Sequence, residues 1–187
     1  MTRIVLPGEP LVDGVTALRP WRDRDLPALV AACQDPEIAR WTRVPANYGE
    51  ADARAYLLAR YDLALAGESA AFAIVDAGAG QLLGSISLMR IAWTDRRAEV
   101  GYWLAREARG HGHATRAVQL ICRWAAQTLG LERIDLLAAT GNLPSQRVAE
   151  RCGFVHEAIL RSYLRGRGSD ERQDMVAYGL LTGVPAA

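Results

Sequence analysis

Lysine is missing altogether: all 22 basic residues of this 187-residue chain are arginine. Alanine is abundant alongside it, and codon bias toward GC-rich triplets accounts for the pair; arginine enrichment is not a general mark of thermal stability. One chemical consequence follows in any case, since a chain without lysine cannot acylate itself on a lysine side chain. Cysteine is scarce as well. Cys33, Cys122 and Cys152 are too few and too scattered for a disulfide framework or a metal site, and Cys122 and Cys152 fall on apolar faces of predicted helices, where packing thiols belong. No sign of charge dominates either: the formal net charge is +1, which offers no long-range attraction to nucleic acid or to a membrane surface. No apolar run approaches the ~18 residues that indicate a membrane span, and Met1 to Pro10 lacks the charged-then-apolar order of a signal peptide. The expectation is a soluble, cytoplasmic protein with buried, reduced thiols.

Half of the residues are hydrophobic, ample for one full core, so a single domain over 1–187 is expected, with its core about 15–182. After a loose start, Val15 to Arg19 reads as a strand. Asp25 to Cys33 reads as a helix with Asp25 as N-cap and Leu26, Leu29, Val30 and Cys33 on one face. A loop containing Asp35-Pro36, Trp41, Pro45 and Tyr48 follows. Helix returns from Glu50 to Ala66, where Leu57, Leu58, Tyr61 and Leu65 recur at helical spacing. Ala71 to Asp76 and Leu82 to Trp93 read as a β-hairpin about Ala77-Gly78-Ala79-Gly80, and Arg97 to Leu104 as a third strand. A glycine turn then leads into a helix ending at Leu129, with Val118, Ile121, Cys122, Ala125 and Leu129 in one stripe before Gly130. Ile134 to Ala139 is a short buried strand, Asn142 to Gly153 brackets a short helix, and strands Val155 to Arg165 and Gln173 to Leu181 flank a turn at Gly166 to Asp170.

The most informative stretch is Arg109-Gly110-His111-Gly112-His113-Ala114-Thr115, because it places two glycines and a cation just before an amphipathic helix. Small residues let successive N–H groups turn toward one anion, and the helix start adds unpaired donors and the positive end of its dipole. The dipole contributes ~0.3–1 kcal/mol at an exposed site, so converging N–H groups must supply most of the grip on a pyrophosphate. Other phosphate motifs fit poorly: there is no Gly-Lys-Ser/Thr, and Thr115 stands where a dinucleotide fingerprint needs its third glycine. A plain turn with a solvated charge remains the alternative. His111 and His113, with no cysteine beside them, do not make a metal pair.

Three motifs in order resemble the GCN5-related N-acetyltransferase (GNAT) family, and within it the branch of the bacterial Rim-type ribosomal-protein N-terminal acetyltransferases. They are Ala98-Glu99-Val100-Gly101-Tyr102-Trp103-Leu104, then Arg109, Gly112 and Ala114, then Asn142 and Ser145 closed by Gly153-Phe154. The likeness runs from Leu18-Arg19-Pro20-Trp21 to Asp174-Met175-Val176-Ala177-Tyr178. It implies an α/β (α+β) fold, a mixed and mostly antiparallel splayed sheet of about seven strands flanked by about four helices. In such a fold acetyl-CoA lies between the strand ending at Leu104 and the one ending at Thr140. Trp103 and Leu104 would pair with its pantetheine arm as an added strand does. Arg109, Gly110, His111, Gly112, His113, Ala114 and Thr115 would hold the pyrophosphate, and Asn142 would bond the arm from the next helix start.

Acetyl transfer from a thioester to an amine needs a base to free the amine's lone pair and an acid for the departing thiolate. Glu99 is the candidate base, with a plain arginine pair as its alternative. Ser145 is the candidate acid, with helix capping as its alternative, and Tyr163 is the reserve. Trp41, Tyr48, Tyr56 and Trp93 are candidates for the acceptor pocket, with core packing as the competing role. The family's Rim-type branch often carries a glycine where Ala158 stands, so the stretch with Glu157 and Arg161 reads as structural, Glu157 paired to an arginine. Arg161, Arg165, Arg167 and Arg172, interleaved with Asp170, Glu171 and Asp174, read as a mixed solvated turn. Cys152, on a helix face, is not placed as a nucleophile.

The resemblance thus implies an enzyme with acetyl-CoA as co-substrate, no metal, and direct attack in a ternary complex. The expected partner is an amine acceptor, either a protein N-terminus or a small amine such as an amino acid, a polyamine or an aminoglycoside. Nucleic acid and membrane are not expected, and a homodimer stays open. A non-catalytic acyl-CoA sensor and a nucleotide-binding domain are the competing readings.

Overall fold

The computed structural model describes residues 3–165 and 171–183. Among these, the strands are β1 (Leu11–Val12), β2 (Thr16–Arg19), β3 (Ala70–Asp76), β4 (Leu82–Ala92), β5 (Arg97–Leu104), β6 (Arg133–Ala139), β7 (Val155–Arg165) and β8 (Arg172–Leu181). They form one sheet in the order β1-β2-β3-β4-β5-β6-β8-β7. Neighbours are antiparallel except β5 and β6, which run parallel. A parallel pair needs a crossover connection, and α4 (His113–Leu129) supplies it. The remaining helices are α1 (Leu26–Ala32), α2 (Pro36–Trp41), α3 (Glu50–Leu65) and α5 (Leu143–Arg151). The fold is that of the GNAT family, with one short strand and one short helix beyond the expected number. The turn expected at Gly166 to Asp170, with Arg167 and Asp170 in it, lies outside the described residues.

The main core lies between α4 and one face of the sheet. Val118, Ile121, Cys122 and Ala125 of α4 are buried against Ile86, Leu88, Val100, Ile134 and Leu136, and Leu129 packs at its margin. Trp124 meets Phe72 edge to face at 5.1 Å. Each such large side chain, fully buried, stabilises the fold by ~1.5–3 kcal/mol. Helix α4 stops at Gly130, which turns left-handed at φ 65°, a conformation that glycine adopts without strain. A second cluster of Leu29, Cys33, Tyr48 and Ala53 joins α1 and α3, with Trp103 packed against it from the opposite face of β5.

Three local differences from the sequence reading have physical causes. Asp25 does not cap α1. Its carboxylate takes both arms of the Arg19 guanidinium, at 2.6 and 2.7 Å, and the Arg22 N–H at 2.9 Å, in a pair whose side chains are each 6% exposed. The stretch taken as a loop after Cys33 holds α2, because Asp35 caps it by accepting the Glu37 N–H at 3.0 Å and Pro36 fits its first turn. On α3, Leu58 and Tyr61 face solvent, 71% and 65% exposed, while Ala53 and Ala64 are buried. The alanines let the helix lie close to its neighbours, and Tyr56 and Leu57 pack beside them against the second cluster, while Leu58 and Tyr61 turn outward.

Candidate active site

Strands β5 and β6 pair only at Arg97–Arg133, Ala98–Ile134 and Glu99–Asp135. Beyond that, β5 keeps its ladder with β4 to Leu104 and β6 keeps its ladder with β8 to Ala139. The two strands therefore part into a wedge with Glu99 at the vertex. Backbone groups alternate along an antiparallel ladder between facing the neighbour and facing away. Ala105 donates its N–H to Leu83 O at 2.8 Å, and a Cβ on Gly84 would collide with the Trp103 carbonyl, so Trp103 turns its carbonyl toward β4. The peptide groups of Tyr102 and Leu104 are the ones that face the wedge. Trp103, expected to offer its backbone there, instead packs its indole against the second core cluster.

At the open mouth stands the glycine turn. Gly110 and Gly112 have φ of 82° and 81°, and no protein atom lies within 4 Å of a Cβ built at either. The first helical bond runs from the Arg116 N–H to Gly112 O, at 3.2 Å, so the amides of His113, Ala114 and Thr115 have no intrahelical acceptor. The turn is anchored from behind: His113 Nδ1 and Thr16 Oγ1 are 2.8 Å apart, and Arg116 pairs with Asp13 at 3.1 Å. His111 is exposed, Ala114 packs against the core, and the Thr115 carbonyl accepts from Cys152 Sγ at 3.5 Å. Arg109 does not extend toward the turn. Its guanidinium donates to the Leu104 carbonyl at 2.9 and 3.2 Å and pairs with Asp35 at 2.6 Å, bracing the end of β5 against the start of α2. Among the described residues no group of three or more histidine, cysteine or acidic side chains could hold a metal ion.

On the other side of the wedge, Asn142 caps α5 by accepting the Ser145 N–H at 3.2 Å. Capping thus falls to Asn142, and the Ser145 hydroxyl is free to meet the Tyr102 hydroxyl at 3.1 Å. Burial pushes the Tyr102 phenol up to about 12, so it is a proton donor at neutral pH. The Cys152 thiol, also pushed up to about 12 by burial, is no nucleophile. Tyr163 is 43% exposed on β7, where the pairing register with β8 shifts between Leu160 and Leu164, and its hydroxyl bonds neither Glu99 nor Ser145.

Glu99 lies three residues before Tyr102, so their side chains leave β5 on opposite faces. The base and acid candidates therefore flank the wedge from its two sides. Glu99 accepts from Arg90 Nη1 at 2.6 Å, and its side chain is 18% exposed. Burial raises its carboxyl above the ordinary glutamate value, an effect that Arg90 opposes without overcoming, Asp135 adding to it and Arg43 working against it. Arg90 holds a left-handed φ of 53° beside a shift of register between Met89 and Ala92. Below the vertex, Arg133 joins Asp135 at 2.7 Å and, through both nitrogens, Glu157 at 2.9 and 2.5 Å, which gives Glu157 the arginine partner expected from sequence.

The four aromatic candidates separate. Trp41 bonds Glu37 at 2.8 Å, carries Arg40 over its ring at 4.5 Å, and comes within 3.5 Å of a Cβ position on Gly141, just before Asn142. Tyr48 is 6% exposed within the second core cluster, a packing position. Tyr56 bonds Ser85 at 3.0 Å. Trp93 lies in the turn after β4, beyond the vertex, and donates to the Gly67 carbonyl at 2.8 Å. Sequence reasoning overlooked Tyr102 and Arg90. The first had a signal, its three-residue offset from Glu99, whereas the second reaches Glu99 only through the β4–β5 register.

The chain matches the family model described as an acetyltransferase (GNAT) domain over residues 16–155. It is 40% identical over 102 residues to YdaF of Bacillus subtilis (strain 168), whose name assigns it provisionally as a ribosomal N-acetyltransferase; the match covers 54% of this chain and 55% of that protein. It is 36% identical over 81 residues to the ribosomal-protein-serine acetyltransferase of Escherichia coli (strain K12), covering 43% of this chain and 45% of that one. The aligned stretch thus spans about half the length of these curated relatives. A spermidine N-acetyltransferase from Vibrio cholerae, solved with CoA and spermine, superposes with a TM-score of 0.78 at 21% identity over 91% of this chain and 97% of that one, a likeness of fold. The parted β5–β6 pair, the glycine turn at the head of its crossover helix and the family match over most of the sheet agree, and the chain belongs to the GNAT acetyltransferase family.

Proposed function

We propose that this protein transfers an acetyl group from acetyl-CoA to a primary amine by direct attack in a ternary complex, the acceptor being a protein N-terminal amine. The wedge between β5 and β6, with the glycine turn at its mouth and Glu99 at its vertex, supports this most directly. The amides of His113, Ala114 and Thr115, with open space at Gly110 and Gly112, suit a pyrophosphate. The peptide groups of Tyr102 and Leu104 suit a pantetheine arm laid along β5, although Arg109 already engages the Leu104 carbonyl. Asn142 offers its side-chain nitrogen, which has no protein partner among the described residues.

Bound acetyl-CoA supplies the thioester carbonyl carbon. Glu99 removes the proton from the acceptor's ammonium, directly or through water, and its raised affinity for protons suits that task. As the new C–N bond forms and the C–S bond breaks, Ser145 donates a proton toward sulfur, and the Tyr102 hydroxyl orients it and can restore that proton. Names among the relatives favour the protein acceptor: one is called a ribosomal-protein-serine acetyltransferase, and the name of YdaF gives it as a ribosomal N-acetyltransferase. The test is release of free thiol from acetyl-CoA with N-terminal peptides. Stoichiometric release with acetyl-peptide is the expected result, and tight binding of acetyl-CoA without release to any amine would make the protein a sensor.

A further inference from the structure

A cavity of ≈ 350 Å³ lies between the end of α3 and β4, and Arg60, Met89 and Arg90 are on its wall, with exposed Glu68 also lining it. Met89 is the register partner of Glu99, and Arg90 is its ion-pair partner at 2.6 Å, so the cavity adjoins the carboxylate at the vertex of the wedge. Among the described residues Arg60 lacks the carboxylate partner that Arg90, Arg97 and Arg133 have. Its guanidinium stands over the Tyr56 ring at 4.8 Å, yet among the described residues it has no carboxylate partner and no hydrogen bond, and its Nε is shielded from solvent with no acceptor. A guanidinium whose Nε is shut off from water with no acceptor, and which lines the cavity without a carboxylate partner, can still take an anion.

The carboxylates nearer the vertex are already committed. Glu99 holds Arg90, Asp135 holds Arg97 and Arg133, and Glu157 holds Arg133, while Arg43 acts on Glu99 and has no ion pair of its own among the described residues. We infer that the cavity is an anion subsite of the acceptor pocket: the acceptor is an amine that carries a carboxylate close by, for which Arg60 and Arg90 are the receptors. This rests on the acetyl-transfer reading and names the substrate class within it. An acceptor's ammonium at Glu99 competes with Arg90 for that carboxylate, and the guanidinium so released stands on the cavity wall to meet the acceptor's own anion. Arg90 holds a left-handed backbone, which a non-glycine residue adopts only at a cost, and its side chain both pairs with Glu99 and lines the cavity. A polycation gains nothing there, since its second ammonium meets Arg60 and Arg90, with Glu68 alone to oppose them.

The test measures kcat/KM with acetyl-CoA for three peptides that begin with serine and continue with Asp-Glu, Ala-Ala or Arg-Arg, together with free glutamate and spermidine. The acidic peptide is expected to exceed the basic one by about tenfold or more, the size of one charge-assisted hydrogen bond. Arg60→Glu should invert that ratio, and Arg60→Gln should bring it close to one; a merely structural lesion would lower both peptides together and leave the ratio as it was. Equal rates for acidic and basic peptides, a ratio unmoved by Arg60→Gln, or spermidine as the best acceptor would overturn the inference while acetyl transfer stands. Free glutamate as the best acceptor would uphold the anion subsite and remove the protein N-terminus. Absence of transfer to any amine, with acetyl-CoA bound, would remove both readings together.

Discussion

The Tyr102 and Ser145 hydroxyls stand 3.1 Å apart, joining β5 to the start of α5 across the gap that opens after Glu99 and Asp135. Because Asn142 has taken over the cap of α5, this serine is available for chemistry. Ser145→Ala should therefore lower kcat by about 100-fold, in the range of a lost general acid, while acetyl-CoA affinity changes little. Tyr102→Phe should lower kcat less and in the same direction, and steady-state rates with calorimetric binding separate the two effects. Wild-type kcat in Ser145→Ala would assign thiolate protonation to solvent.

Glu99 governs the acidic limb of the rate. A base must be deprotonated to act, and burial lifts this carboxyl above its ordinary value, so kcat/KM should fall as pH drops through that raised value rather than near ~4.3. Arg90 and Arg43 favour the charged form, and Asp135 opposes it. Arg90→Ala should then move the acidic limb to higher pH, and Glu99→Gln should abolish the limb along with most of the rate. A pH–rate profile from acid to neutral pH reads both, and a limb unmoved in Arg90→Ala would sink the assignment of Glu99 as base.

Gly112 combines a left-handed backbone with open space where a Cβ would project. Gly112→Val should leave the core intact and strain the turn by roughly 1–2 kcal/mol, while displacing the amides that would meet the pyrophosphate. Loss of acetyl-CoA affinity in a variant with native circular dichroism is the expected outcome, measured by titration calorimetry.

The Arg19–Asp25 pair is buried and bidentate. Burial alone would raise the Asp25 carboxyl, but the Arg19 guanidinium and the Arg22 N–H outweigh it and hold it below the ordinary aspartate value. Its contribution to stability is thus present above the unfolded value of ~3.9 and is lost as pH falls through the lower folded one. Arg19→Met strands the carboxylate and should cost about 3–5 kcal/mol at neutral pH, with part of that difference vanishing in acid. Thermal melts of both proteins at neutral and acidic pH test this.

Most elements were legible from period and punctuation. Apolar, β-rich runs bounded by turn residues marked the strands β3, β4 and β6, and Gly130 and Gly153 marked helix ends. Helix α2 was also written in the chain as Asp35-Pro36-Glu37, a cap, a first-turn proline and an acid, but six residues are too short for a periodicity to emerge. On α3 the pattern itself was ambiguous, since apolar residues occur on more than one face and only packing selected the alanines.

By itself, the sequence determined the order of every strand and helix except β1 and α2, the glycines of the turn before α4, and the membership of Glu99, Ser145 and Asn142 in one family pattern. These are local properties, set by backbone sterics and by hydrophobic period within a few residues. Only the tertiary structure decided that Arg109 braces β5 rather than reaching the turn, that Tyr102 partners Ser145, that Arg90 pairs with Glu99, and that Arg60 shares a cavity wall with Arg90. Each of those relations depends on the register between strands or on a helix laid across the sheet, and the direction of a long side chain follows the charges it finds there rather than its place in the chain.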